Sequence, residues 1–122
     1  MIKQVNQIGI PVQKMERAVQ FYKEWLELQL LFETNTMAFF ECNGLRLLLS
    51  LPENKASANK SSIIYFEVDE IEATYTRLQK NGVIFTGKPH VVAKTDDTET
   101  WMAFFQDSEQ NTHAIMSEVS LK

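Results

Sequence analysis

Near the start of the chain, apolar residues alternate with polar or small ones. The apolar positions are Ile8, Ile10 and Val12, and this period of two predicts a strand with one buried face. From Met15 to Leu26 the apolar residues instead recur every three or four positions. That spacing predicts an amphipathic helix directly after the strand.

Three apolar segments follow this helix and complete a first module. They lie at about 29–33, 37–41 and 45–51. Asn43 and Gly44 stand between the last two, and both residue types tolerate a positive φ, which indicates a hairpin turn. The first module is therefore predicted as βαβββ over residues 1–52, followed by a polar linker without periodicity at about 53–61.

The same order of elements restarts after the linker. Alternating apolar residues predict a strand at 64–68, and Asp69 with Glu72 has the spacing of a capping box at a helix start. Asn81 and Gly82 supply a left-handed stop for that helix. Further apolar segments complete a second module over about 62–122, and they lie at 83–86, 90–93, 101–106 and 112–119.

A repeated tetrapeptide sets the register between the two modules. Met-Ala-Phe-Phe occurs at 37–40 and again at 102–105. The difference in residue number between the opening strands of the two halves is smaller than that between the two tetrapeptides. The second half therefore contains insertions, which we place at about 94–98. The predicted fold class is α+β with two pseudo-symmetric βαβββ modules in one domain, 1–122.

Composition narrows the classes of function. The net charge is −4 and Lys and Arg form no cluster, so nucleic acid is not an expected partner. No apolar stretch approaches the roughly 20 residues that cross a bilayer, so no membrane partner is expected. Cys42 is the only cysteine, which excludes an internal disulfide and a cysteine-rich zinc site and favours a reducing cytoplasm.

Three segments resemble the glyoxalase/bleomycin-resistance/dioxygenase family, also called the vicinal oxygen chelate superfamily. They are QIGIPVQKMERAVQFYKEWLEL, IIYFEVDEIEATYTRLQKNGV and WMAFFQDSEQNTHAIM, which are similar to the openings of the family's two modules and to its closing hairpin. The similarity spans nearly the whole chain. It implies a curved mixed sheet around a ligand cavity, and it implies a homodimer.

The resemblance also implies four metal-ligand positions, on the first and last strands of each module. These positions fall on Gln7, Leu48, Ile63 and Ala114. Only Gln7 carries a donor, and one neutral oxygen cannot hold an ion in competition with water. We therefore expect no metal at the inherited site and no cofactor. A divalent metal is expected only if its ligands have been relocated, for example to His90, His113, Glu67 or Glu118.

If the four positions implied by the resemblance face a cavity, alternation along the strands predicts which neighbouring side chains would face a ligand with them. The expected ligand-binding residues are Gln7, Arg46, Leu48, Ile63, Tyr65, Glu67, Trp101 and Ala114. Arg46 and Glu67 are informative because a charge aimed into a cavity needs a partner or a ligand, although they could instead pair with each other or lie at the rim. Trp101, with Phe39 or Phe104, would supply aromatic contacts along one side of the ligand cavity. Packing in the core is the alternative for these residues. His113 should point toward the helix side.

The leading interpretation is a small-molecule binding protein that is independent of metal and whose ligand the sequence does not name. The alternative is an enzyme of the same superfamily, a lyase, isomerase or dioxygenase. Such an enzyme would use a relocated metal site or take Glu67 or His90 as general base. A third reading is a dimeric interaction domain with a filled cavity. In the closing turn Gln110 replaces a glycine of the family pattern, which costs about 1 kcal/mol if its backbone is left-handed.

Overall fold

The structure is a computed structural model that describes residues 1–52 and 61–122. Residues 53–60, which make up almost all of the predicted linker, lie outside this description. Backbone contacts divide the chain into two units. Unit 1 comprises Met1–Ser61 with Ser108–Asn111, and unit 2 comprises Ser62–Asp107 with Thr112–Lys122.

Unit 1 contains one helix and one four-stranded sheet. Its strands are β1 Gln7–Pro11, β2 Gln29–Glu33, β3 Met37–Cys42 and β4 Leu45–Ser50, and its helix is α1 Met15–Gln20 with a π-helical continuation Phe21–Trp25. The strand order is β1-β4-β3-β2, with β1 parallel to β4 and the other neighbours antiparallel. Asn43 and Gly44 have φ values of 49° and 91°, which confirms the predicted hairpin turn.

The helix covers one face of this sheet. The Tyr22 ring lies 6.0 Å from that of Phe40 in β3, and both residues are fully buried. The other large side chains buried in this core are Ile10, Val12, Leu47 and Leu49 on the strands, as the alternation predicts, and Phe21 on the helical segment. The backbone N–H of Leu26 donates to the carbonyl oxygen of Phe21 at 2.9 Å, a wider turn than an α-helix makes. No sequence pattern indicated this π-helical turn.

Unit 2 repeats the arrangement. Its elements are β5 Ile64–Glu67, α2 Ile71–Asn81, β6 His90–Lys94, β7 Thr98–Gln106 and β8 Thr112–Ser120. The strand order is β5-β8-β7-β6, with β5 parallel to β8. Segment 83–86 is not a strand, since it forms only a single bridge between Phe85 and Phe105. Phe85 instead links α2 to the sheet, because its ring lies 4.7 Å from Tyr75 and 5.4 Å from Phe105.

The predicted start of α2 is wrong, and its predicted end is confirmed. The helix starts after Glu70, whose side chain makes no capping hydrogen bond, so the predicted capping box of Asp69 and Glu72 is wrong. Gly82 has a φ of 118°, and its N–H lies 3.1 Å from the carbonyl oxygens of Leu78 and Gln79. The left-handed stop is therefore confirmed.

The repeated tetrapeptide occupies equivalent positions in the two units. Ala38 and Phe40 in β3, like Ala103 and Phe105 in β7, are fully buried on the face that packs against the helix. In each unit we call this side of the sheet the helix face and the opposite side the open face. The α+β class with two βαβββ modules is thus confirmed. No helix within residues 1–52 and 61–122 is long and apolar enough to cross a membrane.

Candidate functional site

The open face of unit 2 carries several of the predicted ligand-binding residues. Tyr65 and Glu67 lie two positions apart on β5, so their side chains leave the same face of the sheet. Tyr65 pairs with Ala114 of β8, and Ala114 pairs in turn with Phe104 of β7. The register therefore groups these four residues on one surface.

Two aromatic rings meet across the position of Ala114. The centroids of the Tyr65 and Phe104 rings are 6.2 Å apart and the ring planes cross at 79°, an edge-to-face contact. The methyl group of Ala114 is small enough to allow this contact, and it is fully buried, whereas Tyr65 is 46% exposed. A ligand on this surface would meet the Tyr65 ring before the Ala114 methyl group.

A second row on the same face runs across all four strands. It contains Glu67, Met116, Met102 and His90, in that order. Glu67 and His90 lie at opposite ends, three strand spacings or roughly 14 Å apart. Nδ1 of His90 lies 2.9 Å from the carbonyl oxygen of Lys88, to which it can donate. The two candidate general bases are therefore not brought together.

The open face of unit 1 has a polar row at one end. Gln7 of β1 pairs with Arg46 of β4, and Arg46 pairs with Glu41 of β3. The Glu41 carboxylate accepts a hydrogen bond from the backbone N–H of Gly44. The Arg46 guanidinium is exposed and has no hydrogen bond or ion pair with any residue that the structure describes. It is available to an anionic group of a ligand.

The adjacent row on that face is apolar. It contains Gly9, Leu48, Phe39 and Phe32, one residue from each strand. The Phe32 and Phe39 rings are 6.2 Å apart, and Phe32 is 51% exposed. A side chain built on Gly9 would meet no atom within 4 Å, so space remains above this strand. Both open faces thus combine accessible rings with a charged group.

Trp101 lies on the other side of its sheet. It pairs with Ser117, whereas Phe104 pairs with Ala114, and residues three apart on an extended strand point in opposite directions. The predicted grouping of Trp101 with Phe104 is therefore wrong. The indole N–H of Trp101 lies 3.4 Å from Oε1 of Glu99 on the same strand. A ligand contact of Trp101 itself stays a prediction.

A carboxylate that the sequence analysis did not select lies in a dense hydrogen-bond cluster in unit 1. The side chain of Glu109 is 1% exposed and accepts the backbone N–H groups of Gln13 and Lys14 at 2.8 and 3.0 Å. Nε and Nη2 of Arg17 donate to it at 2.7 and 3.0 Å, and the Ser108 hydroxyl donates at 2.8 Å. We call this set the Glu109 cluster.

The pKa of Glu109 indicates whether this carboxylate could accept a proton from a substrate. Burial by itself would raise the pKa of Glu109, but the hydrogen bonds from Arg17, Lys14, Gln13 and Ser108 favour the ionised form more strongly and lower the pKa to about 2. A carboxylate held ionised, with every contact made inside the protein, is a poor proton acceptor. Glu109 is therefore a structural anchor for the segment between β1 and α1.

His113 is a buried packing residue. Its ring lies on the helix face, 5.6 Å from that of Phe66 and 5.8 Å from that of Phe105, and it is fully buried. Burial lowers the pKa of His113, although the Asp107 carboxylate, whose Oδ2 is 3.8 Å from Nε2, and a hydrogen bond involving the Thr112 backbone act in the opposite direction. The prediction that His113 points toward the helix side is confirmed.

A family model described as Glyoxalase/Bleomycin resistance protein/Dioxygenase superfamily matches residues 4–112. The chain belongs to this superfamily. The match covers the whole first module and the second module as far as the first residue of β8.

Individual relatives are more distant. The chain is 28% identical over 88 residues to the metallothiol transferase FosB of Staphylococcus saprophyticus, a match that covers 68% of this chain and only 58% of that protein. It is 27% identical over 122 residues to the uncharacterized protein YraH of Bacillus subtilis, covering 86% and 91% of the two chains. A superfamily member from Sphaerobacter thermophilus has a TM-score of 0.80 at 22% identity, with 96% and 98% of the chains covered. That likeness shows the shared fold.

Three of the four positions that the superfamily resemblance assigns to metal ligands, Leu48, Ile63 and Ala114, carry no donor atom for a divalent ion. Leu48 and Ala114 hold equivalent places, since Phe39 pairs with Leu48 in unit 1 and Phe104 pairs with Ala114 in unit 2. Their side chains are hydrocarbons, as is that of Ile63, which is 44% exposed just before β5. Within residues 1–52 and 61–122, no three His, Cys, Asp or Glu side chains are grouped closely enough to hold a metal. Such an ion prefers oxygen or imidazole donors.

The Glu109 cluster is the part of the molecule that the sequence reasoning missed. Glu109 lies in the segment WMAFFQDSEQNTHAIM that resembles the family's closing hairpin, and that resemblance was the available signal. Its partners Gln13, Lys14 and Arg17 lie more than 90 positions away in the sequence, so no local spacing connects them to it.

Proposed function

We propose that this chain is a small-molecule binding protein that needs no metal ion at the superfamily's ligand positions. The observation that carries the proposal is the set of hydrocarbon side chains at Leu48, Ile63 and Ala114. Without oxygen or nitrogen donors at these positions, the Lewis acid of a metal-dependent superfamily enzyme has no place to bind. The same fold can bind a small molecule through its side chains without a metal ion.

The open faces supply the chemistry for binding. Each sheet offers accessible aromatic rings, Phe32 with Phe39 in unit 1 and Tyr65 with Phe104 in unit 2. Ligand sites combine an apolar lining with a few polar groups that fix orientation. Arg46 and Glu67 are such groups, one on each open face. Gln7 on the open face of unit 1 belongs to the same proposal, whereas a ligand contact of Trp101 would be made from the helix face of unit 2.

A thermal-shift screen of chelator-treated protein against a panel of aromatic small molecules tests this function. A bound ligand raises the melting temperature by an amount that increases with the logarithm of its concentration relative to its dissociation constant. We expect at least one hit whose stabilising effect is weakened in Arg46→Met or Glu67→Gln. Lys23→Met and Glu72→Gln, which remove exposed charges from the helical segments, are the matched controls and should keep the effect.

Two outcomes would overturn the proposal. One is a panel in which no compound stabilises the protein. The other is a set of hits that stabilise all four variants as well as the wild type, since binding would then occur away from the open faces.

We also propose that the protein forms a homodimer in the cytoplasm. The dimer is implied by the superfamily resemblance, and the compartment is suggested by Cys42, the only cysteine in the sequence. Light scattering coupled to size-exclusion chromatography would give the mass of a dimer if the first part is right and that of a monomer if it is wrong. Cell fractionation would test the second part.

An enzymatic role is the second proposal, and the exposed Glu67 beside Tyr65 favours it. Glu67 would act as a metal-free general base that removes a proton from a bound substrate. A hit from the screen, incubated with protein in heavy water, would then exchange a carbon-bound hydrogen, and Glu67→Gln would abolish that exchange. Ligand binding without any exchange would contradict this second proposal and leave the first intact.

A further inference from the structure

The open face of unit 2 has a distinctive charge distribution. Its charged side chains, taken from all four strands, are Glu67 and Glu118, with His90 at the far edge of β6. No Lys or Arg belongs to the rows that form this face. The charged side chains that the strands place on this face around Glu67 are therefore acidic.

Glu67 itself is not neutralised by the protein. Its side chain is exposed, and its carboxylate forms no hydrogen bond or ion pair with any residue in the described part of the chain. A ligand that covered this carboxylate without compensating its charge would have to remove its water at a considerable free-energy cost. Charge complementarity consequently selects a cationic ligand over a neutral or anionic one.

The neighbours of Glu67 favour the same kind of ligand. The Tyr65 ring is two residues away on the same face, it is 46% exposed, and Phe104 holds it in an edge-to-face contact. The face of an aromatic ring attracts a cation within about 6 Å. Met116 and Met102, which follow Glu67 in its row, offer flexible and polarisable thioether groups to an apolar body.

We propose that the open face of unit 2 binds planar organic cations, with the charge at Glu67 and the ring system on Tyr65, Phe104 and Met116. The inference rests on the proposed binding function and adds the chemical class of the ligand. Glu67 supplies the opposite charge, and the rings and thioethers supply apolar contact. A quaternary or protonated nitrogen attached to an aromatic ring system satisfies both requirements.

Isothermal titration calorimetry with three probes of matched shape tests this inference. The probes are N-methylquinolinium, which is cationic, quinoline at pH 7.5, which is neutral, and quinoline-4-carboxylate, which is anionic. We expect the cation to bind about tenfold more tightly than the neutral probe, and the anion to bind more weakly than either. Added salt should weaken binding of the cation more than binding of quinoline.

Variants assign the effect to the site. Glu67→Gln keeps the shape of the side chain and should remove most of the preference for the cation, whereas Glu72→Gln on α2 removes an equivalent exposed charge and should leave it unchanged. Tyr65→Leu should weaken binding of both the cationic and the neutral probe. Because Glu67 and Tyr65 are exposed, these variants are expected to fold.

Three results would overturn the inference. One is equal affinity for the cation and the neutral probe, and another is an unchanged cation preference in Glu67→Gln. The third is a combination of two results: none of the three probes binds, and the Tyr65→Asp protein is a monomer where the wild type is a dimer. That combination would show that a second copy of the chain covers this face. The screen described above separates these failures from failure of the proposed function, because a hit of another chemical class would preserve binding while excluding the cation.

Discussion

The Arg17 guanidinium lies 2.7 Å from the Glu109 carboxylate, although the two residues are 92 positions apart in the sequence. Replacing Glu109 by Gln removes the negative charge that Arg17 and two backbone N–H groups share. Breaking a buried, hydrogen-bonded ion pair leaves its remaining partners unsatisfied, and Arg17 is partly exposed, so we expect a loss of about 2–4 kcal/mol in the free energy of unfolding. Urea denaturation measures this loss.

Glu118→Gln is the control for that measurement, because Glu118 is exposed near the end of β8. It should change the free energy of unfolding by no more than about 0.5 kcal/mol. A Glu109→Gln protein as stable as the control would contradict the anchoring role of Glu109.

The same carboxylate gives stability a particular dependence on pH. The pKa of Glu109 is lowered from its ordinary value of 4.5 to about 2, so the unfolded chain takes up the proton first on acidification. The stability that Glu109 contributes is therefore fully present above about pH 4.5 and is lost as the pH falls toward 2. The difference in unfolding free energy between wild type and Glu109→Gln should shrink across this window. A difference in unfolding free energy that stays constant down to pH 2 would exclude the lowered pKa of Glu109.

The two phenylalanines of the repeated tetrapeptide should differ sharply in their effect on stability. Phe40 is fully buried against α1, whereas Phe39 lies on the open face. Phe40→Ala should cost about 3–5 kcal/mol, and Phe39→Ala should cost no more than about 1.5 kcal/mol. The pair Phe105 and Phe104 in unit 2 should repeat this contrast. Thermal and urea unfolding of the four variants measures it, and equal losses within either pair would contradict the register.

Gln110 offers a stabilising substitution. Its φ of 67° is left-handed, a conformation that glycine adopts without the steric cost of a side chain. Gln110→Gly should therefore raise the free energy of unfolding by about 1 kcal/mol. Gln106→Gly, placed in the extended backbone of β7, is the matched control and should lower it by about the same amount. A destabilised Gln110→Gly protein would show that the side chain contributes more than the backbone strain removes.

Much of the fold follows from patterns that are local in the sequence. Alternation placed Ile10, Val12, Leu47 and Leu49 in the core, and the positive φ values of Asn43 and Gly44 match their residue types. The repeat of Met-Ala-Phe-Phe also aligned Phe39 with Phe104, and these two residues pair with Leu48 and Ala114 in the structure. These features are predictable because side chains alternate between the two faces of a strand and because tight turns favour particular residue types.

The errors arise where distant residues or small register differences decide the outcome. Trp101 was grouped with Phe104 although an odd separation on a strand places them on opposite faces. The π-helical turn after α1 buries both Phe21 and Tyr22, and a period of three or four residues does not distinguish such a turn from an α-helix. Glu109 was overlooked because its partners come from the other end of the chain.

The most direct test of the central claim is the affinity of one ligand for protein with and without divalent metal. A hit from the thermal-shift screen would be titrated by calorimetry into chelator-treated protein and into protein supplied with zinc, nickel, manganese or iron(II). Because Leu48, Ile63 and Ala114 offer no donor, we predict the same dissociation constant in every case. Binding that disappears after chelation and returns with one of these ions would contradict the account.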